Sequence, residues 1–106
     1  MKYVFDLDQT LCITEGNQYS LSKPIYERIE IVNCLYSDSQ DITIYTSRGM
    51  NSFNGDIEKC YNEYYVLTLN QLQDWGVKFD RLILGKRSYD FFIDDKAIND
   101  KEFFKK

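Results

Sequence analysis

Short, continuously apolar runs alternate with longer stretches of helical period, and this alternation constrains the fold of the chain more than any other feature. The runs are Tyr3-Val4-Phe5, Asp41-Ile42-Thr43-Ile44-Tyr45-Thr46, Arg81-Leu82-Ile83-Leu84 and Phe91-Phe92-Ile93. The first, second and fourth are rich in β-branched or aromatic residues, the third is aliphatic, and all four read as strands. Strands that are apolar throughout, separated by helices, predict a mainly parallel α/β sheet of about four strands with helices on both faces. A first helix is expected after Cys12–Lys23, a polar loop holding Gly16 and Asn17. Pro24 would stand in its first turn behind a Ser22 or Lys23 cap, and Ile25, Ile29, Val32 and Leu35 or Tyr36 would form its inward stripe. A long second helix is expected from about Asp56 to Trp75, facing inward through Ile57, Tyr61, Tyr64, Thr68 or Leu69, Leu72 and Trp75, with Gly76 as its stop. Ala97 to Phe104 reads as a final short helix. The chain shows no repeat and no linker, so 1–106 is one domain.

Charge and composition narrow the chemistry. The 106 residues include 13 Lys+Arg, 17 Asp+Glu and no histidine, for a formal charge of -4. Without imidazole there is no Ser-His-Asp triad, no His-assisted cysteine nucleophile and no HExxH zinc site. Cys12, Cys34 and Cys60 are widely spaced and form no CxxC pair, and none precedes an arginine at the spacing of a cysteine phosphatase; they read as reduced structural thiols. The acidic balance disfavours nonspecific nucleic-acid binding. Asp6 and Asp8 interrupt the N-terminal apolar run, and no stretch is long enough to span a membrane, so a cytoplasmic protein is expected.

In open α/β sheets ligands bind beyond the carboxyl ends of the strands. The first strand delivers Asp6 and Asp8 there, the second Thr46 followed by Ser47 and Arg48, the third Gly85-Lys86, and the fourth Asp94 and Asp95. Each feature alone has a plain explanation, such as a turn, a β-propensity or a helix start. Together, four segments bring phosphate-handling groups to one sheet edge. Four carboxylates at one edge repel unless a cation sits among them, and hard oxygen ligands suggest Mg²⁺.

At these residues the chain resembles the haloacid dehalogenase (HAD) superfamily of phosphotransferases. Asp6-Leu7-Asp8-Gln9-Thr10 looks like its DxDxT first motif, Thr46 its second, Lys86 its third and Asp94-Asp95 its fourth. Within it the chain is most like the small capless capsule-biosynthesis phosphatases, through Tyr45–Met50, Asn54–Lys59 and Phe92–Ile98. The resemblance implies a Rossmann-like core and a Mg²⁺-dependent phosphomonoesterase acting on a sugar phosphate or related biosynthetic intermediate. In it Asp6 is the nucleophile that forms an aspartyl-phosphate, and Asp8 is the general acid and base. Mg²⁺ is held by Asp6, the Asp8 backbone carbonyl and Asp94, while Thr46 and Lys86 bind the phosphoryl oxygens. Asp95 and Thr10 support this set, and Ser47 and Arg48 contact substrate. Gln9 departs from the small residue usual at its position and is strained if the backbone there needs φ > 0. Arg87 departs from the subgroup's Pro.

Neither the Leu11–Lys23 interval nor the one filled by the long second helix leaves room for a folded cap. An open site suits an extended substrate or closure by a second copy in a homo-oligomer. A nucleotide or nucleic-acid-end phosphatase is an alternative, using Arg81, Lys86 and Arg87. A signalling receiver domain is another, although it carries its adjacent acidic pair after the first strand, whereas here that pair comes last.

Overall fold

The structure, a computed structural model, describes residues 1–105. Its elements in chain order are β1 (Lys2–Phe5), β2 (Cys12–Ile13), β3 (Lys23–Pro24), α1 (Tyr26–Ser37), β4 (Asp41–Thr46), α2 (Ile57–Asp74), β5 (Arg81–Leu84) and α3 (Asp100–Phe103). A 3-10 turn at Tyr19–Leu21 lies between β2 and β3. The main sheet is parallel in the order β1-β4-β5, with Phe5 opposite Ile44 and Thr46 opposite Leu84. This register brings Asp6, Thr46 and Lys86 to the same end of the sheet.

Burial alternates along β1 and β5, while in the central β4 Thr43 is buried on the second face as well. Phe5, Ile42, Ile44, Thr46, Leu82 and Leu84 are buried, whereas Lys2, Val4, Arg81 and Ile83 on the alternate positions are exposed. The pattern corrects the expectation of helices on both faces. Both crossovers, β1 to β4 and β4 to β5, step in the same direction, and right-handed connections then carry α1 and α2 to the same side. There Ile29 and Val32 of α1 and Cys60, Thr68 and Leu72 of α2 are buried. The rings of Phe103 and Phe104 close on Phe5 at 5.6 and 6.0 Å. On the other face Arg81 Nη1 spans from the Asp41 carboxylate (2.6 Å) to the Thr43 hydroxyl (3.1 Å), a polar cover in place of a helix.

The expected fourth strand is also corrected to three. Phe91-Phe92-Ile93 pairs with no strand, and Phe91 and Ile93 are 84% and 94% exposed. The segment is held locally instead: the Tyr89 and Phe92 rings pack at 5.1 Å, with the Lys86 ammonium 5.0 and 5.5 Å from their centroids.

The loop between β1 and α1 is more ordered than its composition suggested. Cys12 pairs with Pro24 and Ile13 with Lys23 in an antiparallel ladder, and Ile25 N–H donates to the Leu11 carbonyl. That pairing keeps Pro24 extended, so the first helix starts at Tyr26 rather than at Pro24. The second helix starts as expected: the Asp56 carboxylate caps it by accepting from Lys59 N–H. It ends at Gly76 (φ 73°), whose N–H meets the Gln73 carbonyl while Val77 N–H meets Leu72. The last helix is shorter than expected, because Asn99 caps it by accepting from Lys101 N–H. Arg28 ties it to α1 through Asp100 at 2.7 Å. No helix is long and apolar enough to cross a membrane among the described residues.

Candidate active site

The turn after β1 is wound around one buried residue. The Leu7 carbonyl accepts from Thr10, Leu11 and Cys12 N–H, and Leu7 itself is fully buried. The flanking Asp6 and Asp8 are only half-buried. Closing the turn requires Gln9 at φ 65°, the left-handed conformation that costs a non-glycine residue about 1 kcal/mol. Two side-chain bonds offset that cost: Gln9 Nε2 donates to the Thr14 carbonyl (2.5 Å) and Gln9 Oε1 accepts from Thr14 N–H (3.4 Å).

Asp6 lies between a hydroxyl and an ammonium. Its Oδ2 accepts from Thr10 Oγ1 at 3.2 Å, and its Oδ1 is 3.4 Å from Lys86 Nζ. Lys86 reaches it from the end of β5, across the intervening β4, because Gly85 takes φ 95° and Lys86 N–H donates to the Thr46 carbonyl. A Cβ at Gly85 would press on Ile57 at 3.1 Å. A carboxylate with one oxygen oriented and the other charge-compensated is suited to attack an anionic centre. Thr46 stands at the end of β4 as expected, but it is 1% exposed and its hydroxyl accepts from Arg48 N–H. Ser47 is half-buried in the turn that Met50 N–H closes onto its carbonyl.

Arg48 does not take the substrate-facing place expected of it. The residue is buried, and its guanidinium forks onto Asp8, Nε to Oδ2 at 3.0 Å and Nη2 to Oδ1 at 2.9 Å. Asp8 Oδ1 also accepts from Thr14 Oγ1 at 2.5 Å and from the Cys12 thiol at 3.4 Å. Burial first, then the neighbouring Asp8 charge, pushes the Cys12 thiol up to about 11, so it is an inert packing group. Burial also raises the Tyr19 phenol, whose oxygen accepts from Gly49 N–H and whose ring lies 4.9 Å from the Arg48 guanidinium.

Asp94 and Asp95 are not brought to this site. Both are exposed, and Asp94 accepts from the nearby Lys96 N–H. Among the described residues no three acidic or thiol side chains are grouped to hold a metal ion. Sequence reasoning overlooked Thr14, Ser22, Thr68 and Gln71, which surround Asp8 and Arg48, and Arg28, which donates to the Thr10 carbonyl at 3.0 Å. Gln71 carried a signal: it stands three residues after Thr68, on the same side of the helix as that inward-facing position.

No family model and no curated protein matches the chain. The crystal structure of an MCSG target from Vibrio cholerae is similar to it throughout, with a TM-score of 0.86 and 28% identity over 99% of this chain and 88% of that one. The likeness extends to the whole fold, and no activity comes with it.

Proposed function

We propose that the protein is a phosphomonoesterase of the HAD type that works through an aspartyl-phosphate on Asp6, acting on a sugar phosphate or related biosynthetic intermediate. One observation carries the reading: the Lys86 ammonium 3.4 Å from Asp6 Oδ1, across the end of β4, which lies between the strands that carry them. In the first step an Asp6 oxygen attacks phosphorus and the bond to the leaving alcohol breaks, with Asp8 giving that oxygen its proton. In the second, Asp8 takes a proton from water, which attacks phosphorus; the bond to Asp6 breaks and inorganic phosphate leaves. Lys86 offsets negative charge in both steps.

Mg²⁺ is the cofactor proposed with this activity, and the carboxylates as they lie do not fit it. Magnesium requires a near-octahedral oxygen shell. Of the set the resemblance implies, Asp94 faces solvent apart from Asp6, which leaves the Asp6 carboxylate and the Asp8 backbone carbonyl. The Asp8 carboxylate, forked onto Arg48, does not replace Asp94. Neither step above is routed through the ion. The described residues support the open site, since the intervals after β1 and β4 hold only the β2–β3 pair and turns.

The test is phosphate release from a panel of sugar phosphates, nucleotides and 3′-phosphorylated oligonucleotides, with Mg²⁺ and with EDTA. Release from sugar phosphates above the other two classes is expected. Release from oligonucleotides alone would move the protein to a nucleic-acid-end phosphatase, and none from any substrate would refute the reading. Activity undiminished by EDTA would remove the metal.

A further inference from the structure

We infer that Arg48 is a positioning residue, setting which oxygen of Asp8 exchanges the proton; the inference rests on the phosphomonoesterase reading above. All five guanidinium N–H groups are used within the protein. Nε and one hydrogen of Nη2 go to Asp8, the other Nη2 hydrogen to Ser22 Oγ at 3.3 Å, and Nη1 to Thr68 Oγ1 at 3.0 Å and Gln71 Oε1 at 2.6 Å. Its side chain has no exposed surface. A group so enclosed has no donor left for a substrate.

The effect on Asp8 is unequal between its oxygens. Oδ1 accepts from Arg48, Thr14 and Cys12, whereas Oδ2 accepts from Arg48 Nε alone. Oδ2 therefore keeps a lone pair, and Asp8 retains 21% side-chain exposure through which a proton can pass. A free aspartate turns broadly about its second side-chain torsion, while the planar fork holds this one at a single angle. Proton donation depends on such placement, because donor and acceptor must come within hydrogen-bond reach. Thr68 and Gln71 extend the control to α2. Gln71 Nε2 also donates to the Tyr19 carbonyl at 2.5 Å, so the turn between β2 and β3 is tied to the same frame.

The leaving group separates positioning from mere structural support. An aryl ester such as p-nitrophenyl phosphate departs without protonation, whereas an alkyl ester such as glycerol phosphate needs it, and kcat/KM reports the step in which the leaving group goes. It is measured on both esters for the wild type, Arg48→Lys and Gln71→Met. Lysine keeps the charge and loses the fork. Arg48→Lys is expected to lose about 100-fold on the alkyl ester and no more than about tenfold on the aryl ester. Gln71→Met, which removes one acceptor of Nη1, is expected to shift the same ratio about fivefold, and it decides the matter if Arg48→Lys fails to fold. Equal losses on both esters, or none on either, overturn the positioning role while the function stands. A wild type that hydrolyses neither ester overturns both.

Discussion

Asp6 and Asp8 follow a strand paired along its length to β4, whereas Asp94 and Asp95 follow an apolar run that joins no strand. The first pair gains its surroundings from that anchoring: Asp6 meets Lys86 and Thr10, and Asp8 meets Arg48 and Thr14. The second pair is exposed, and among the described residues Asp94 bonds only to the backbone two residues on. Identical side chains thus differ in chemistry because one pair ends a ladder that fixes neighbours around it. A hydrogen-bonded strand supplies its terminal residues with partners from the other strands of its sheet, and an unpaired segment supplies only sequence neighbours.

Substitutions probe this contrast. The largest effect is expected from Asp6→Asn, which removes the nucleophile and should lower phosphate release by about 10³-fold or more; wild-type turnover in that variant would leave Asp6 no more special than Asp94. Next is stability. Asp8→Ala strands the buried Arg48 charge and should cost about 3 kcal/mol in urea unfolding, while Asp94→Ala should stay within about 0.5 kcal/mol. Equal costs would erase the distinction. A smaller effect comes from Cys12, fully buried beside Asp8. Its folded-state value of about 11 lies above the ordinary 9.0, so the folded protein keeps a proton that the unfolded chain releases between pH 9 and 11. Stability is then lost as pH rises through that window, on the order of 2 kcal/mol. Unfolding at pH 8 and pH 10.5 checks this, and Cys12→Ala should flatten the difference. The smallest effect on turnover is expected from Asp94→Asn, an exposed residue outside the Asp6 and Asp8 surroundings, which should stay within about twofold with or without Mg²⁺. A loss of about tenfold or more confined to Mg²⁺ would bring Asp94 into the site.

The sequence carried the three paired strands and both long helices because each announces itself locally, through a β-branched run at 41–46, an aliphatic run at 82–84, and Asp56 and Gly76 at the ends of α2. Phe91-Phe92-Ile93 looked the same at this level. A strand, however, exists only where an edge accepts it, and composition cannot show that Tyr89, Phe92 and Lys86 satisfy one another first. Asp6, Asp8, Thr46 and Lys86 were legible as residues gathered at one sheet end. Arg48 was legible as a charge near the site, but its inward turn depends on Thr68 and Gln71, which only the packed helix brings beneath it. The coverage of a single sheet face was equally hidden, since it follows from strand order, which no local pattern encodes.

That strand order also shapes how the chain reaches its native state. β4 lies in the middle, and each partner is remote in sequence: Lys2 must find Asp41, and Thr43 must find Arg81. With no hairpin in the main sheet, each pairing closes a long loop before any ladder bond forms, and such closure is slow. Helices α1 and α2 shorten the two loops when they form first. Assembly of the sheet is therefore expected to follow helix formation, and a Pro or Gly placed within α2 should slow refolding as well as weaken the native fold.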